Sequence, residues 1–390
     1  MGVAVARVRL FAALREMAGT THLDVPGATV DEIVQTLTEK FGARFGEIAR
    51  AGSALVDKEA VAWETPLGDD DEVALLPPVA GGSVFMPRRP ERVLLLVNPV
   101  ARTVSRPVLD VIEKALAADF KLDVNETNAR DHATELAQEA VDQGSDLVVV
   151  FSGDGTINEV LGALAGTDVG LGIIPGGATN VLARVLGVPT DPVEATAAVL
   201  HHALDGSRRK LHLGTANDRF FAFACGIGLD ASAMGRLEER EISNRRFPWA
   251  GMYSVIREAF VHYAGREADL TVRVEDGPPV EAVSVMVGRT NPYTFFKRWG
   301  VKVTPKAEPS GGLDVLTVKN LTRRSIGRLG WQVLVSGTVF KRRNVEYAHD
   351  VSSVEVVGRN PFPLQLDGDY VGLRDRVSIG LARDAIWVYA

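Results

Sequence analysis

Apolar and polar positions follow three different rhythms along this chain of 390 residues. In the first stretch the rhythm is mixed. Val3 to Leu10 alternates like a strand, Gly19-Thr20 makes a turn, and His22 to Val25 returns beside the first strand. Thr29 then opens a helix, with Glu32 three residues on completing a T-x-x-E capping box. Val30, Ile33, Val34, Leu37 and Phe41 share one helical face, and Gly42 is placed as the C-terminal cap. Short strands follow at Ala54-Leu55-Val56 and Val73-Ala74-Leu75-Leu76. A hairpin, a helix and further strands predict a small α+β domain over residues 1–82, ending in Pro77-Pro78-Val79-Ala80-Gly81-Gly82.

Residues 83–91, rich in proline and arginine, read as an exposed linker. Over 92–205 short apolar runs alternate with helical periodicity. Val93 to Val97 is a buried strand ending at Asn98-Pro99. Ser105 caps a helix with Pro107 in its first turn, whose apolar face holds Val108, Val111, Ile112, Ala115 and Leu116. A strand follows at Leu122 to Val124, and then a helix capped by Asp131 and ending at Gly144. Asp146 to Phe151 is an unbroken apolar run, the pattern of a strand covered on both faces. It breaks at Ser152-Gly153-Asp154-Gly155 and restarts as a helix, with Thr156 and Glu159 spaced as a second capping box. Gly170 to Ile174 is another strand, and Pro175-Gly176-Gly177-Ala178-Thr179-Asn180 a second glycine turn opening a second helix. Such alternation predicts right-handed βαβ units in a parallel sheet.

From Lys210 the period drops toward two. Lys210 to Gly214, Phe220 to Ala224, Leu270 to Val274, Val283 to Val287, Leu313 to Val318 and Val354 to Val357 read as strands of an antiparallel sandwich over 206–390, whose last strands can return to the α/β layer. The expected fold is α+β and multi-domain: an N-terminal domain, a Rossmann-like α/β nucleotide domain and a packed β-sandwich.

Three loops, Asn98 to Arg102, Ser152 to Asn158 and Pro175 to Asn180, leave strand C-termini, where an open parallel sheet receives its ligand. Two of them are glycine turns that open helices, so their backbone N–H groups converge as an anion site suited to a polyphosphate. Neither has the Walker A spacing nor G-x-G-x-x-G, which disfavours the ordinary nucleotide folds.

Composition narrows this little further. A net charge of -7 argues against general nucleic-acid binding. The single cysteine, Cys225, excludes an internal disulfide and a cysteine-ligated zinc site, and fits a reducing cytoplasm. No signal peptide is visible at the N-terminus, and no apolar run approaches the ~20 residues that span a bilayer. Arg245-Arg246-Phe247-Pro248-Trp249 leads into a helix with Tyr253, Ile256, Phe260 and Tyr263, and Thr322 to Arg343 again mixes basic with apolar positions. Both suit peripheral contact with an anionic membrane surface.

Two resemblances sharpen the reading. Phe11-Ala12-Ala13-Leu14-Arg15-Glu16-Met17-Ala18-Gly19 and the run Asp71 to Gly82 resemble the ubiquitin-like sulfur carriers, specifically the small subunit of molybdopterin synthase. That implies a β-grasp fold and partnership with an adenylating or sulfur-transfer enzyme. In those carriers the terminal glycine carboxylate reacts; here Ser83 follows Gly82, so sulfur transfer would require cleavage after Gly82.

Residues ~90 to 390 resemble the diacylglycerol kinase catalytic domain family, which includes bacterial lipid kinases and sphingosine kinases. The G-G-D-G-T-x-N-E signature appears as Ser152-Gly153-Asp154-Gly155-Thr156-Ile157-Asn158-Glu159, the first-strand Asn-Pro as Asn98-Pro99, and a phosphate-contacting threonine as Thr127. The second glycine loop supplies Gly176, Gly177, Ala178, Thr179 and Asn180. Ser152, Arg102 and Ala178 depart from the family pattern. The resemblance implies an ATP-dependent lipid kinase in which Asp154 organises Mg²⁺ on ATP. It implies that Asp369 of Asp367-Gly368-Asp369 is the catalytic base, one methylene shorter than the usual glutamate. It also implies that Asp314 of Gly311-Gly312-Leu313-Asp314 holds a structural magnesium ion. The acceptor would be diacylglycerol or a related lipid alcohol. The rival readings are a sulfur-carrier precursor, a kinase of a soluble acceptor such as NAD, and an inactive binding module. A homodimer is compatible with all of them.

Overall fold

The computed structural model describes residues 5–50, 52–56, 59–68, 71–76, 89–239, 250–296, 299–331 and 344–390, and it divides into two units, Met1–Arg88 and Arg89–Ala390. The first unit runs β1 (Val5–Leu10), α1 (Ala12–Ala18), β2 (His22–Pro26), α2 (Val30–Phe41), α3 (Ala43–Arg50), β3 (Ser53–Val56), β4 (Glu59–Val61) and β5 (Glu72–Leu76). Its sheet has the order β2-β1-β5-β3-β4, with β1 antiparallel to β2 and parallel to β5, the β-grasp arrangement. Val30, Ile33, Val34 and Leu37 of α2 share a core with Val8, Leu10, Val73 and Leu75 of the sheet. The Thr29 box forms: Glu32 N–H donates to Thr29 Oγ1, and Ala28 N–H to Glu32 Oε2 at 2.7 Å. The expected hairpin differs in its connection. Ala12 to Ala18 consists of strong helix formers and becomes α1, closed by Gly19 in the left-handed region at φ 66°. The Gly81-Gly82 tail and the connector up to Arg88 lie outside the described residues.

In the second unit four parallel strands come first: β6 (Arg92–Val97), β7 (Lys121–Glu126), β8 (Leu147–Ser152) and β9 (Gly170–Pro175), in the order β9-β8-β6-β7. The interleaved helices are α4 (Arg106–Ala117), α5 (His132–Asp142), α6 (Asp154–Leu164), α7 (Val181–Leu186) and α8 (Pro192–Asp205). Every residue of β8 and β9 is buried, which explains their unbroken apolar runs. α4 buries Leu109, Ile112 and Leu116 but leaves Val111 49% exposed, because the 3.6-residue period carries Val111 off the stripe set by Ile112 and Leu116.

The antiparallel part comprises β10 (Arg209–Ala216), β11 (Arg219–Phe221), β12 (Ala224–Ile227), β13 (Leu270–Val274), β14 (Val280–Ala282), β15 (Ser284–Gly288), a β16–β17 hairpin (Thr294–Phe296, Trp299–Val301), β18 (Leu313–Val318), β19 (Val345–Val351), β20 (Ser353–Leu366) and β21 (Asp369–Tyr389). Among the described residues it is accompanied by α9 (Leu229–Glu239), by α10 (Ala250–Glu258), continued by a π-helical turn Ala259–Tyr263, and by α11 (Arg323–Trp331). The strand expected over Phe220 to Ala224 breaks at Ala222-Phe223, whose N–H groups bond a side chain instead of a neighbouring strand.

These strands enclose their own core, built from residues such as Cys225, Ile227, Val285, Val315, Val356 and Ile379. β20 and β21 are long and pair through bulges at Val357/Phe362 and Leu364/Gln365. The end of β21 then pairs in parallel with β9, Trp387 opposite Gly170, so one fourteen-stranded sheet runs through both halves. The turn between β20 and β21 comes against the start of α6, which follows the carboxyl end of β8.

Candidate active site

The three loops that leave β6, β8 and β9 meet. Gly176 N–H donates to Ser152 O at 2.7 Å, and Thr103 N–H to Gly176 O at 3.0 Å. The two glycine turns touch backbone to backbone. A Cβ on Gly177 would stand 2.7 Å from Gly153 Cα, and one on Gly176 2.8 Å from Ser152 Cα. No side chain could be accommodated at either position without separating the loops. Asn98 Nδ2 donates to Thr156 Oγ1 at 3.2 Å, and Ser152 Oγ to the same atom at 2.8 Å, joining the first loop to α6. Thr127 follows β7 beside this junction, its N–H on Val97 O. Pro99 shapes the turn after β6, whereas Ile157 points into the core at 2% exposure.

α6 begins earlier than its spacing predicts. Its N-cap is Gly153, so Thr156 lies within the first turn and no Thr156–Glu159 capping box forms. With the glycine turn entering the helix directly, Glu159 falls in the second turn, facing a neighbour. Its carboxylate accepts from Ala133 N–H at 3.1 Å, and burial pushes its pKa up while the N–H groups of Asp131 and Ala133 pull it back. Glu159 therefore caps α5. Asp131 occupies that helix's N-cap position in the left-handed region at φ 63° and makes no side-chain cap bond.

The buried carboxylate of Asp154 accepts from Thr179 Oγ1 at 3.1 Å, Val181 N–H at 2.9 Å and Leu182 N–H at 3.1 Å. Burial raises its pKa against those three donors. The side chain that resemblance assigns to magnesium thus clasps the start of α7 and ties the second glycine turn to the first. Asn180, in the left-handed region at φ 46°, closes that turn by accepting from Gly177 N–H at 2.9 Å and donating to Gly177 O at 3.1 Å. Ala178 is half-buried in the same turn.

Asp369 comes to the same place from the far end of the chain. A Cβ on Gly155 would lie 2.8 Å from Asp369 Oδ2, so the carboxylate sits directly against the first turn of α6, where the helix dipole favours negative charge. With any other residue at 155 the Asp369 carboxylate would have to shift.

Two acids that sequence reasoning left without a role hold this turn. Asp367, buried and in the left-handed region at φ 50°, accepts from the N–H groups of Ala222, Phe223 and Ala224 at 2.7, 2.9 and 2.9 Å and from Asn158 Nδ2 at 2.8 Å. Burial pushes its pKa up to about 6, with those N–H groups opposing. Asp230, at the start of α9, accepts from Tyr293 Oη at 2.9 Å and Gln365 Nε2 at 2.7 Å and is likewise raised to about 6 by burial. Arg130 adds a bond from its guanidinium to Tyr370 O at 3.0 Å. The Asp-Gly-Asp run signals the first of these; nothing local in the sequence signals the others.

Asp314 does not join this cluster. It lies on β18, 1% exposed, and its carboxylate accepts from the Tyr347 hydroxyl and Asp350 N–H and hydrogen-bonds His349 Nδ1 at 2.7 Å. Among the described residues no group of three or more His, Cys, Asp or Glu side chains could hold a metal ion.

Comparison with known proteins agrees with both halves of this description. Residues 92–216 match the diacylglycerol kinase catalytic domain family, and residues 8–82 the ThiS family. A diacylglycerol kinase of Mycobacterium tuberculosis is 31% identical over 256 residues, which is 61% of this chain and 75% of that protein. One from Staphylococcus saprophyticus is 26% identical over 291 residues, 72% of this chain and 90% of the relative. The crystal structure of a diacylglycerol kinase from Bacillus anthracis shares the fold, with a TM-score of 0.62 and 24% identity over 77% of this chain and 98% of its own.

Proposed function

Starting from the chain's membership of the diacylglycerol kinase family, we propose that its second unit is an ATP-dependent lipid kinase acting on diacylglycerol or a related lipid alcohol. The observation that carries this is the convergence of two backbone glycine turns with the Asp369 carboxylate at Gly155. ATP, with Mg²⁺ on its phosphates, supplies the phosphoryl group when bound. The backbone N–H groups of residues 153–156 and 178–180 are suited to hold those phosphates, and the α6 N-terminus adds positive potential.

Phosphoryl transfer depends on alignment and charge placement more than on covalent help. Asp369 would accept the proton of the lipid hydroxyl as that oxygen attacks. Asp367 and Asn158 set its position by anchoring the turn before it, and Asp154 fixes the spacing of the two glycine turns.

The acceptor side supports a lipid over a soluble substrate such as NAD. Tyr253 is 66% exposed, Ile256 42%, Phe260 39% and Val261 57%, an apolar helical face turned to solvent with Arg257 beside it. Such a face suits the headgroup boundary of an anionic membrane. α10 packs on α9, and α9 meets the Asp369 turn: a Cβ on Gly235 would lie 3.3 Å from the Tyr370 ring. Among the described residues no helix is long and apolar enough to cross a membrane, so contact would be peripheral. The basic 245–249 segment and residues 332–343 lie outside the described residues.

The test is Mg-ATP with a panel of diacylglycerol, sphingoid bases, other lipid alcohols and NAD, scored for phosphate transfer. Transfer to a lipid by the native chain, abolished in Asp369→Ala, is expected. Normal transfer by Asp369→Ala would remove the base assignment, and transfer to NAD alone would remove the lipid reading.

The ThiS match favours a second reading for the first unit, a sulfur carrier released by cleavage after Gly82 and served by an adenylating enzyme. Intact-mass measurement from the native host tests it; a full-length chain alone counts against it.

A further inference from the structure

The loop before β18 is where resemblance to lipid kinases puts a structural magnesium ion. We propose that in this chain the guanidinium of Arg289 is the resident cation of that loop, and that the antiparallel half folds without bound metal.

Arg289 follows β15 directly and is fully buried, its N–H on Phe223 O at 2.8 Å. Nη1 donates to Gly311 O and Gly312 O, both at 2.7 Å. Nη2 donates to Pro309 O at 2.9 Å and His212 O at 3.2 Å. Four carbonyl oxygens therefore converge on one buried positive charge. Carbonyl oxygens are also the ligands that hard divalent cations take from loops. A dication drawing on Gly311 and Gly312 would stand within a few ångströms of Nη1, and like charges repel strongly in a buried, weakly screened setting. Burial lowers the Arg289 pKa to about 10, so it stays charged at neutral pH.

The acidic side of the loop is equally committed. Asp314 is engaged by Tyr347, His349 and the Asp350 N–H, and Asp350 Oδ1 accepts from Gly312 N–H at 2.6 Å. These acids stabilise the guanidinium's charge through space, while its direct partners are the carbonyls. A guanidinium offers several donors in a rigid plane, so one side chain can bind carbonyls on two sides at once. That geometry ties the 309–312 loop to His212 on β10, a link a lysine ammonium could not reproduce.

The inference does not depend on which lipid is phosphorylated, and it is tested without nucleotide, so that no ion arrives with phosphate. The full-length chain is stripped with EDTA and its thermal unfolding compared with and without millimolar MgCl₂, while Mn²⁺ binding is followed by electron paramagnetic resonance. The expected result is one unfolding temperature in both conditions and no bound Mn²⁺. Arg289→Ala is expected to unfold several degrees lower and to recover part of the loss when Mg²⁺ is added, the ion then reaching the vacated carbonyls. One Mn²⁺ bound per native chain, lost in Asp314→Asn and accompanied by a lower unfolding temperature in EDTA, would overturn the proposal. So would an Arg289→Ala chain as stable as the native one. Should Arg289→Ala fail to fold, the comparison on the native chain still decides.

Discussion

Replacing Asp154 by asparagine separates two roles that one side chain could play at the phosphate cradle. The native carboxylate serves three donors, two of them N–H groups of buried residues: Oδ2 takes Thr179 Oγ1 and Val181 N–H, and Oδ1 takes Leu182 N–H. Asparagine keeps the shape but only one acceptor oxygen. With that oxygen at the Oδ2 position the new NH₂ group faces Leu182 N–H, donor against donor. A buried N–H left without a partner costs about 1–3 kcal/mol, toward the upper end because the lost acceptor was charged. Taking about 2 kcal/mol, the native placement of the second glycine turn becomes less populated by roughly 30-fold, and nucleotide affinity falls with it in proportion. Because the cause is loop position, the loss should be alike for ATP in EDTA and for Mg-ATP. Calorimetric titration of both forms into native and Asp154→Asn chains checks this, with urea unfolding to confirm that the variant is folded. A loss confined to Mg-ATP, with metal-free ATP bound as tightly as by the native chain, would refute the clasp and restore a metal-binding role.

Gly177→Ala places a methyl group 2.7 Å from Gly153 Cα, where only backbone can yield; about 1–3 kcal/mol of stability and most nucleotide binding should be lost, read by thermal unfolding and titration. Gly155→Ala should instead displace Asp369, lowering kcat for lipid phosphorylation well over tenfold while ATP affinity changes little. Asp230 is raised from 3.8 to about 6 in the fold, so the folded chain holds its proton more tightly; the resulting stabilisation is complete below pH 3.8 and disappears as pH rises through about 6. The span of about 2 pH units corresponds to about 3 kcal/mol, and urea unfolding across that range should give a flatter profile for Asp230→Asn than for the native chain; parallel profiles would count against it. Tyr253→Ser with Phe260→Ser should weaken binding to anionic vesicles severalfold and leave ATP binding intact, as measured by vesicle co-sedimentation.

The molecule's gross plan was legible in its sequence, because secondary structure depends on local periodicity and β8 and β9, buried on both faces, cannot hide their apolar runs. The β-grasp unit, the parallel layer and the two glycine turns could all be read from residues within short windows. What local windows left open were the partners of polar side chains. The spacing of Thr156 and Glu159 fits a capping box, yet Gly153 starts the helix and Glu159 reaches across to α5. Asp154 stands inside a phosphate signature, yet its oxygens turn toward α7. Asp314 follows the 309–312 loop on β18, where Tyr347 and His349 bond it while Arg289, on a different strand end, takes the loop carbonyls.

The sequence by itself therefore determined which elements form and which backbone turns can bind an anion, since both follow from residue type and short-range geometry. Only the tertiary structure decided which carboxylate meets the cradle. Asp154 lies next to the first glycine turn in sequence, but its oxygens are taken by Thr179 in the second turn and by two N–H groups that open α7. Asp369 lies more than two hundred residues along the chain and arrives because β20 and β21 carry its turn over α6. Hydrogen-bond partners are chosen among all groups that burial brings within reach, and the distances of sequence do not rank them.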